Sequence, residues 1–555
     1  MKAIRRLLLR RAAAACAILF AASLPAAAPA SAAPPSLSGR ITSAAEGAMR
    51  GVLVSARRDG SSITYTVVSG NDGRYDFSPA HLAPGHYALS IRAVGYQLSA
   101  AAVADLAAGK SAHADLTLRR ADDLAGQLSN AEWLLSMPGE PAQKRPLIEC
   151  MSCHTLERVL RSKYTAEQML PVLQRMASYA NNTTMAAVQM RHVDRAFDPE
   201  SFRKLATYLA GVNLSTGATW PYPLKTLPRP SGRATRVLIT EYDLPRKSIA
   251  PHDVLLDARG TVWYTNFVEN FLGRLDPTTG AHSEFAYPLN KPGFPTGSLG
   301  FEPDREGNWW LAPVFQSGLL KFDIRTQKFQ VFRLPPELDG DAAQQTMVMP
   351  RMAQVDGKVW ANEGSKQSVL RMDLASGKFE RIDPFKSLPS SGSHFPYGLT
   401  ADAGNNLYFM DFAGESLVRV DAKTRQTTIY PTPTPRSRPR RGMIDARGRI
   451  WFAEYAANQV AMFDTRREEF REWQVPTPHT YPYDVVLDRH GEVWSGSMAT
   501  DRVLRLDPTT GKSVEYLLPR QTNMRRVTVD DRTHPASLWT GSNHGASIVK
   551  ITPLD

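Results

Sequence analysis

Residues 146–160 read PLIECMSCHTLERVL, and within them Cys150-Met-Ser-Cys153-His154 is a C-x-x-C-H pentapeptide. Two thiols at that spacing reach the two vinyl groups along one porphyrin edge. The adjacent histidine, on the same turn, presents a ring nitrogen to the iron. The chemistry expected is covalent attachment of one haem c, with His154 as proximal ligand. Other uses of a thiol pair lack their context here: a redox dithiol wants a βαβ unit, and zinc wants two further nitrogen or sulfur ligands nearby. Of the three cysteines, Cys16 lies in a leader-like N-terminus, so Cys150 and Cys153 remain for each other. The sixth iron position is open among Met169, Met176, Met185 and Met190, with His192 a further candidate. Methionine is the usual partner where haem carries electrons, whereas an open position would bind ligands.

A second set of polar residues recurs far downstream. Fourteen residues separate His252 from Asn266, Tyr397 from Asp411, Arg440 from Glu454, and Tyr483 from Ser497. In antiparallel strands joined by a tight turn, the start of one and the end of the next share an edge. Each pair is therefore expected on one rim, with Arg351/Glu363 and Arg525/Ser542 joining through other loop lengths and His544 two residues beyond. Polar groups converging on a channel mouth are a default binding-site hypothesis. The alternative is that they bond one another and cap the strands.

The elements that position these groups are legible. From residue 236 to 555 the chain repeats around Trp263, Trp310, Trp360, Tyr408, Trp451, Trp494 and Trp539, at intervals of 43 to 50 residues. Asp-x-x-Gly precedes most of these aromatics and a strand such as GRLDPTTG follows them. Four short strands per repeat, seven times, predict a seven-bladed β-propeller. The chain stops at IVKITPLD with its last outer strand missing, and VLITEYDLP (237–245) is expected to supply it and close the ring. Residues 145–215 switch to helical periodicity, with Thr165-x-x-Gln168 as a capping box and Asp198-Pro199 as a helix start. Residues 36–120 read as short strands separated by Asp-Gly and Pro-Gly turns, a small β-sandwich. Linkers are expected at 121–144 and 216–235. The fold class is multidomain and mainly β: a sandwich, a small all-α haem domain, then the propeller.

Three resemblances sharpen this. The series Gly39, Gly51-Val52, Asn71-Asp72-Gly73-Arg74-Tyr75, Pro84-Gly85-His86-Tyr87 and Gly95-Tyr96 resembles the carboxypeptidase regulatory-like, transthyretin-like domain, which implies a non-catalytic spacer or adhesion module. Cys150–His154 with the helix ATYLAGVNL resembles class I-like cytochrome c domains, which implies electron transfer; the placement of Met176 after Gln-Arg resembles that of their axial methionine. The repeats SIAPHDVLLDARGTVWYTN, PYGLTADAGNNLYFMD and RRGMIDARGRIWFAEYAANQV resemble the streptogramin B lyase (virginiamycin B lyase) family. That last resemblance implies a histidine base and a glutamate-held magnesium, with histidine and glutamate sharing the fourteen-residue spacing of one blade. Here no blade has both, because His252 faces Asn266 and Glu454 faces Arg440, where an ion pair is expected. A lyase site would have to be assembled from His252, Glu454 and His544 of three blades.

Residues 1–32 have a basic start, an apolar middle and the A-x-A signal Ala30-Ser31-Ala32, so a cleaved export peptide is expected and with it a periplasmic or otherwise exported, soluble protein. The formal charge of +12 falls to +7 without the five basic residues of that segment. A mild charge with no clustering of aromatic and basic residues speaks against nucleic acid as partner. No segment is apolar for long enough to span a membrane. The expected function is an exported electron-transfer protein whose propeller binds an unknown small molecule or redox partner. Two other readings stand beside it: a propeller enzyme, either magnesium-dependent and lyase-like or an oxidoreductase feeding the haem, and a haem-based sensor or adhesion protein.

Overall fold

The computed structural model of the chain describes residues 36–193, 198–386 and 392–555. Residues 1–32, expected to be an export peptide, lie outside the described residues. Among the described residues, no helix is long and apolar enough to cross a membrane.

The first domain is a β-sandwich. Its strand Ser36–Ser43 buries alternate residues and pairs antiparallel with Arg74–Phe77 and parallel with Leu116–Arg120. The opposing layer carries Leu53–Arg58, Ile63–Val68, Gly85–Arg92 and Ala102–Leu106. Leu37, Ile41, Val54, Phe77 and Leu89 fill the space between them. Gly39 permits the closest approach, because a Cβ there would sit 1.9 Å from the Ala114 carbonyl oxygen.

Seven four-stranded antiparallel units form the propeller, six as separate sheets. In the seventh, Met524–Asp530, Ser537–Ser542 and Ser547–Pro553 are completed by Val237–Asp243, in register from Val237↔Pro553 to Asp243↔Ser547. The repeat signature has a physical cause. In the Asp-x-x-Gly turns, the aspartate accepts backbone N–H groups and also the indole Nε1–H of the tryptophan six residues on: Asp257 to Trp263 at 3.0 Å, and Asp304 to Trp310, Asp445 to Trp451 and Asp488 to Trp494 at 3.1 Å. The glycine takes the positive φ that ends the turn, for example +86° at Gly260. Blade three departs from the pattern, with an inner strand of only two residues, Val348–Met349, followed by a longer turn to Gly357.

Ring closure does a second job that periodicity does not announce. The free edge of Val237–Asp243 pairs with Ile63–Val68, so blade seven and one layer of the sandwich form a continuous eight-stranded sheet. An exposed blade edge is thereby covered. Arg57 to Asp243 (2.5 Å) crosses this seam, and Arg520 of the propeller holds the closing strand beside it through Glu241 (2.9 Å) and Asp243 (2.7 Å).

The helices lie between these two β parts, and they begin earlier than the sequence suggests. Asn130–Ser136 and Pro141–Lys144 occupy the segment expected to be linker. Ser129 and Glu132 form a reciprocal capping box there, and Trp133, fully buried, meets Trp220 at 4.9 Å. Leu147–Cys150, Leu156–Leu160, Ala166–Ala177 and Pro199–Val212 follow, with Thr165/Gln168 and Asp198 capping as the sequence indicates. This segment has no separate core. Leu147, Ile148, Met151 and Leu156 share one apolar cluster with Phe267, Phe315, Tyr397, Tyr455 and Tyr483 of the propeller.

Arg92 of the sandwich donates to the carbonyls of Leu518 (2.7 Å) and Arg520 (3.0 Å) and to Asp501 (2.7 Å). Both side chains of that ion pair are nearly buried, at 11% and 3% exposure. Arg92→Ala leaves a buried carboxylate uncompensated and should destabilise the chain by about 3 kcal/mol, read as a lower midpoint in urea denaturation.

Candidate functional site

The C-x-x-C-H turn leaves the short helix Leu147–Cys150, with the N–H groups of Cys153 and His154 both donating to the Cys150 carbonyl at 3.3 Å. The two cysteines are not joined in a disulfide. Burial pushes the Cys150 thiol up to about 12 and also raises Cys153, against the pull of the Arg525 guanidinium. Burial lowers the His154 pKa, so its imidazole is neutral. Its Nδ1 faces the Thr155 carbonyl at 2.9 Å. A carbonyl only accepts, so Nδ1 carries the proton and Nε2 keeps its lone pair.

Blade seven holds this turn from below. Asn523 Nδ2 donates to the Met151 carbonyl at 3.0 Å, Arg525 Nη2 to the Ser152 carbonyl at 2.9 Å, and His544 Nε2 to the same oxygen at 3.3 Å. Spacing alone marks Arg525 and His544 as rim residues. It misses Asn523, although that residue lies two positions before Arg525. The helical segment thus seats its thiol turn on the mouth of the propeller channel.

Under that seat lies a buried polar column. His252 Nδ1 meets Asp253 at 2.8 Å and its Nε2 meets the Tyr483 hydroxyl at 3.3 Å. The Tyr483 hydroxyl also bonds the Tyr397 hydroxyl. Burial outweighs the Asp253 contact and lowers His252 to about 4. Burial pushes the Tyr483 phenol up, but Arg440, Arg525 and Arg441 bring it below its ordinary value. Arg440 sits over Tyr483 at 3.9 Å, Tyr455 at 4.4 Å and Phe412 at 4.6 Å, a cation caged by aromatic faces.

The fourteen-residue pairs do not face each other. The cross-strand partner of Asn266 is Pro251, of Asp411 Pro396, of Glu454 Pro439 and of Ser497 Pro482. The spacing is therefore one residue off register, and one step sends a side chain to the opposite face. Asn266 instead accepts the N–H of Ala250 and Val268 at 3.2 Å. Asp411 accepts Phe395 N–H (2.8 Å), Gly414 N–H (3.1 Å) and His394 Nδ1 (2.6 Å). Glu363 accepts Gln344 N–H (3.2 Å) and Ser365 Oγ (2.5 Å), while Ser497 accepts Ala499 and Thr500 N–H groups. These residues clasp loops between blades.

Two further expectations are corrected. Arg440 does not pair with Glu454: it faces the aromatic cage, while Glu454 lies beside Glu472 and neither of its carboxyl oxygens accepts a hydrogen bond among the described residues. Arg351 is not on this rim. It follows the short inner strand of blade three at the opposite end of the channel, where it meets Glu302 at 3.1 Å. Gln345 and Thr346 take the rim place in that blade, with Asn362 accepting the N–H of Thr346 and Met347 at 2.8 Å.

Spacing misses the second ring of channel residues altogether. Six of the seven inner strands bulge after the rim residue, among them between Pro251/Val254, Pro439/Gly442, Pro482/Val485 and Met524/Val527. Asp253, Arg441, Asp484 and Arg526 consequently form the charged floor below the rim. Arg441 grips Asp253 at 2.7 and 2.8 Å, and Arg526 reaches it at 3.2 Å. The dipeptides His-Asp, Arg-Arg, Tyr-Asp and Arg-Arg, at one place in four repeats, are the signal that could have found it.

The haem-ligand candidates sit apart from this column. Met169 is buried at 2% exposure, whereas Met176, Met185 and Met190 are 38%, 48% and 53% exposed, beside exposed Val188 and Val193. His192 is engaged with blade two, bonding the Gly293 carbonyl at 3.0 Å and stacking on Phe294. His252, Glu454 and His544 do not converge. Among the described residues no three His, Cys, Asp or Glu side chains stand placed to hold a metal ion.

Comparison with known proteins fits this geometry. The model of the virginiamycin B lyase family matches residues 306–506 and 386–554. The ring is a virginiamycin B lyase-like propeller. The carboxypeptidase regulatory-like domain model matches residues 36–119, the sandwich. A solved streptogramin B lyase superposes at a TM-score of 0.50 and 21% identity, covering 58% of this chain and all of that one. Selenomethionine-substituted virginiamycin B lyase from Staphylococcus aureus superposes at 0.48 and 20% identity, covering 57% and 98%. A catalytically inactive variant of that lyase with quinupristin reaches 0.48 at 17% identity, with the same coverage. At such identities the likeness is one of fold. A search of curated proteins returns no match.

Burial, with the Glu472 carboxylate adjacent, pushes Glu454 up to about 8 from the ordinary 4.5. The folded chain holds this proton more tightly than the unfolded one, so the contribution is full below about pH 4.5 and is lost as pH rises towards about 8. Glu454→Gln, which stays neutral, should remove that slope and gain up to about 5 kcal/mol over the parent at about pH 9, measured by denaturant titration across pH.

Proposed function

We propose that the protein is an exported electron-transfer protein in which one haem c is bound through Cys150, Cys153 and His154, mounted on a lyase-like propeller that serves as its binding platform. One observation supports this above the others: the two cysteines and His154, whose Nδ1 is tied to the Thr155 carbonyl, lie on one turn that blade seven holds through Asn523, Arg525 and His544. The donor set suits the group, since thiols form the thioethers and an imidazole with its Nδ1 proton tied to a carbonyl is oriented for iron. The exposed apolar side chains of Met176, Met185, Val188, Met190 and Val193, gathered in the same short segment, fit a surface that covers a large apolar group. Met176, Met185 and Met190 remain the sixth-ligand candidates in that order.

When bound, haem c supplies reversible one-electron transfer. The chain's own residues do the rest. Thr155 and Asn130 set the orientation of the His154 turn, the latter by accepting Leu156 N–H at 2.8 Å. Arg525 places a buried positive charge beside that turn, and in low dielectric such a charge favours the electron-rich form of a neighbouring redox group. The column below gives the turn a rigid, water-poor support.

A lyase-like enzyme is the second reading, favoured by the neutral His252 with Asp253 and Tyr483 beside it. Against it, His252 and Asp253 are fully buried and the helical segment packs across the mouth.

Purified protein exported by a host with haem-attachment machinery should retain haem through acid–acetone extraction, and Cys150→Ser with Cys153→Ser should abolish it. Haem-free or freely extractable protein would overturn the reading, and magnesium-dependent ring opening of a streptogramin B would replace it with the lyase.

A further inference from the structure

The end of the channel remote from the thiol turn holds a cavity of about 470 Å³. It opens where the propeller is least regular. The eight residues Pro350–Gly357 of blade three replace the compact Asp-x-x-Gly turn of its neighbours, and they bring Arg351 and Met352 to the rim. The wall is apolar, formed by Met349, Met352, Leu399, Ala401, Met443 and Ile444. Above it, an enclosed chamber of about 40 Å³ shares Glu302, Leu399, Gly442, Met443 and Arg526 and runs up to the charged floor.

The charges at this mouth are unequal in availability. Asp402 and Asp445 line it, but both carboxylates are consumed by their own turns: Asp402 accepts Gly404 N–H, Asn406 N–H and Asn406 Nδ2, and Asp445 accepts Arg447 N–H, Arg449 N–H and Nε, and Trp451 Nε1. Glu302 is buried and shared, with Arg526 Nη2 at 2.5 Å and Arg351 Nη2 at 3.1 Å. Arg351 is 58% exposed and uses one of its donors. The Arg466 guanidinium, also exposed, makes no hydrogen bond or ion pair among the described residues. Two guanidinium groups with spare donors thus line one apolar-walled cavity.

We propose that this cavity is a binding site for an organic monocarboxylate with an apolar body, its carboxylate held by Arg351 and Arg466 and its body against the methionine and leucine wall. A guanidinium matches a carboxylate with two parallel N–H donors, which an exposed single-contact pair with Glu302 does not use up. Methionine walls accommodate bodies of varied shape. Cavities of this size, mostly apolar with a few convergent polar groups, are what small-molecule sites look like. The site is independent of the haem reading, because it lies at the other end of the channel and involves none of those residues.

The test titrates the full-length protein with octanoate and with benzoate by isothermal calorimetry. The parent, the double variant Arg351→Gln/Arg466→Gln, and the alcohols 1-octanol and benzyl alcohol complete the set. Saturable one-site binding of at least one carboxylate is expected, weakened at least tenfold in the double variant and at least tenfold for the matching alcohol. Both arginines are exposed, so the variant should keep the parent melting temperature. No saturable binding of either acid, or equal affinity in parent and variant, overturns the proposal. Inorganic phosphate binding more tightly than both acids also overturns it, since the apolar wall would then contribute nothing.

Discussion

Along Val237–Asp243 the backbone is hydrogen-bonded on both edges, to Ser547–Pro553 on one side and to Ile63–Val68 on the other. The first pairing closes a ring across more than three hundred residues of sequence. The second binds the sandwich to blade seven. Together they dictate the course of everything between Arg120 and Val237, since that segment must leave the sandwich and return to its flank. The shortest way to bury its apolar faces is across the propeller, where Phe267, Tyr397, Tyr455 and Tyr483 receive it. The thiol turn sits over the channel because the chain has been tied at both ends of this path.

The channel beneath is filled rather than open. Two stacked tiers, His252–Tyr483–Tyr397 with Arg440 above and Asp253–Arg441–Asp484–Arg526 below, occupy it, with a small chamber near Glu302. Buried charges on this scale are tolerated because each has a partner: Asp253 takes two arginines and a histidine, and Arg440 takes aromatic faces. The outcome is a stiff pillar. It separates the two mouths, one capped by the helical segment and the other open with an apolar wall and spare arginines.

Much of this architecture is legible in the amino-acid sequence. The Trp and Asp-x-x-Gly rhythm stands out because one aspartate must serve both its own turn and the indole six residues later, so the two residue types recur together. The missing last strand can be inferred because a closed ring requires a partner for Ser547–Pro553. The departures share one cause. Spacing locates a residue along a strand to within a position, and a one-position slip exchanges the faces of the strand. For Asn266, Asp411 and Glu454 it gives the correct edge and the wrong direction. The bulges that turn Asp253, Arg441 and Arg526 inward are marked in the sequence by the recurring rim dipeptides and not by the spacing of single residues, and the irregular blade three carries Arg351 to the other mouth.

By itself the sequence determined what is local or repetitive: the sandwich strands, seven blades and their closure, the capping boxes at Thr165 and Asp198, and a thiol pair with its histidine on one turn. These follow from hydrogen bonds spanning a few residues, or from a period that sums many weak signals. Only the tertiary structure decided which surfaces meet. That Asn523, Arg525 and His544 hold the carbonyls of Met151 and Ser152, that Glu454 lies against Glu472, and that a sandwich strand extends a propeller blade all depend on contacts between residues far apart in the chain. No spacing rule reaches such contacts, because they are selected by the shapes of completed domains and by the need to bury their remaining apolar faces.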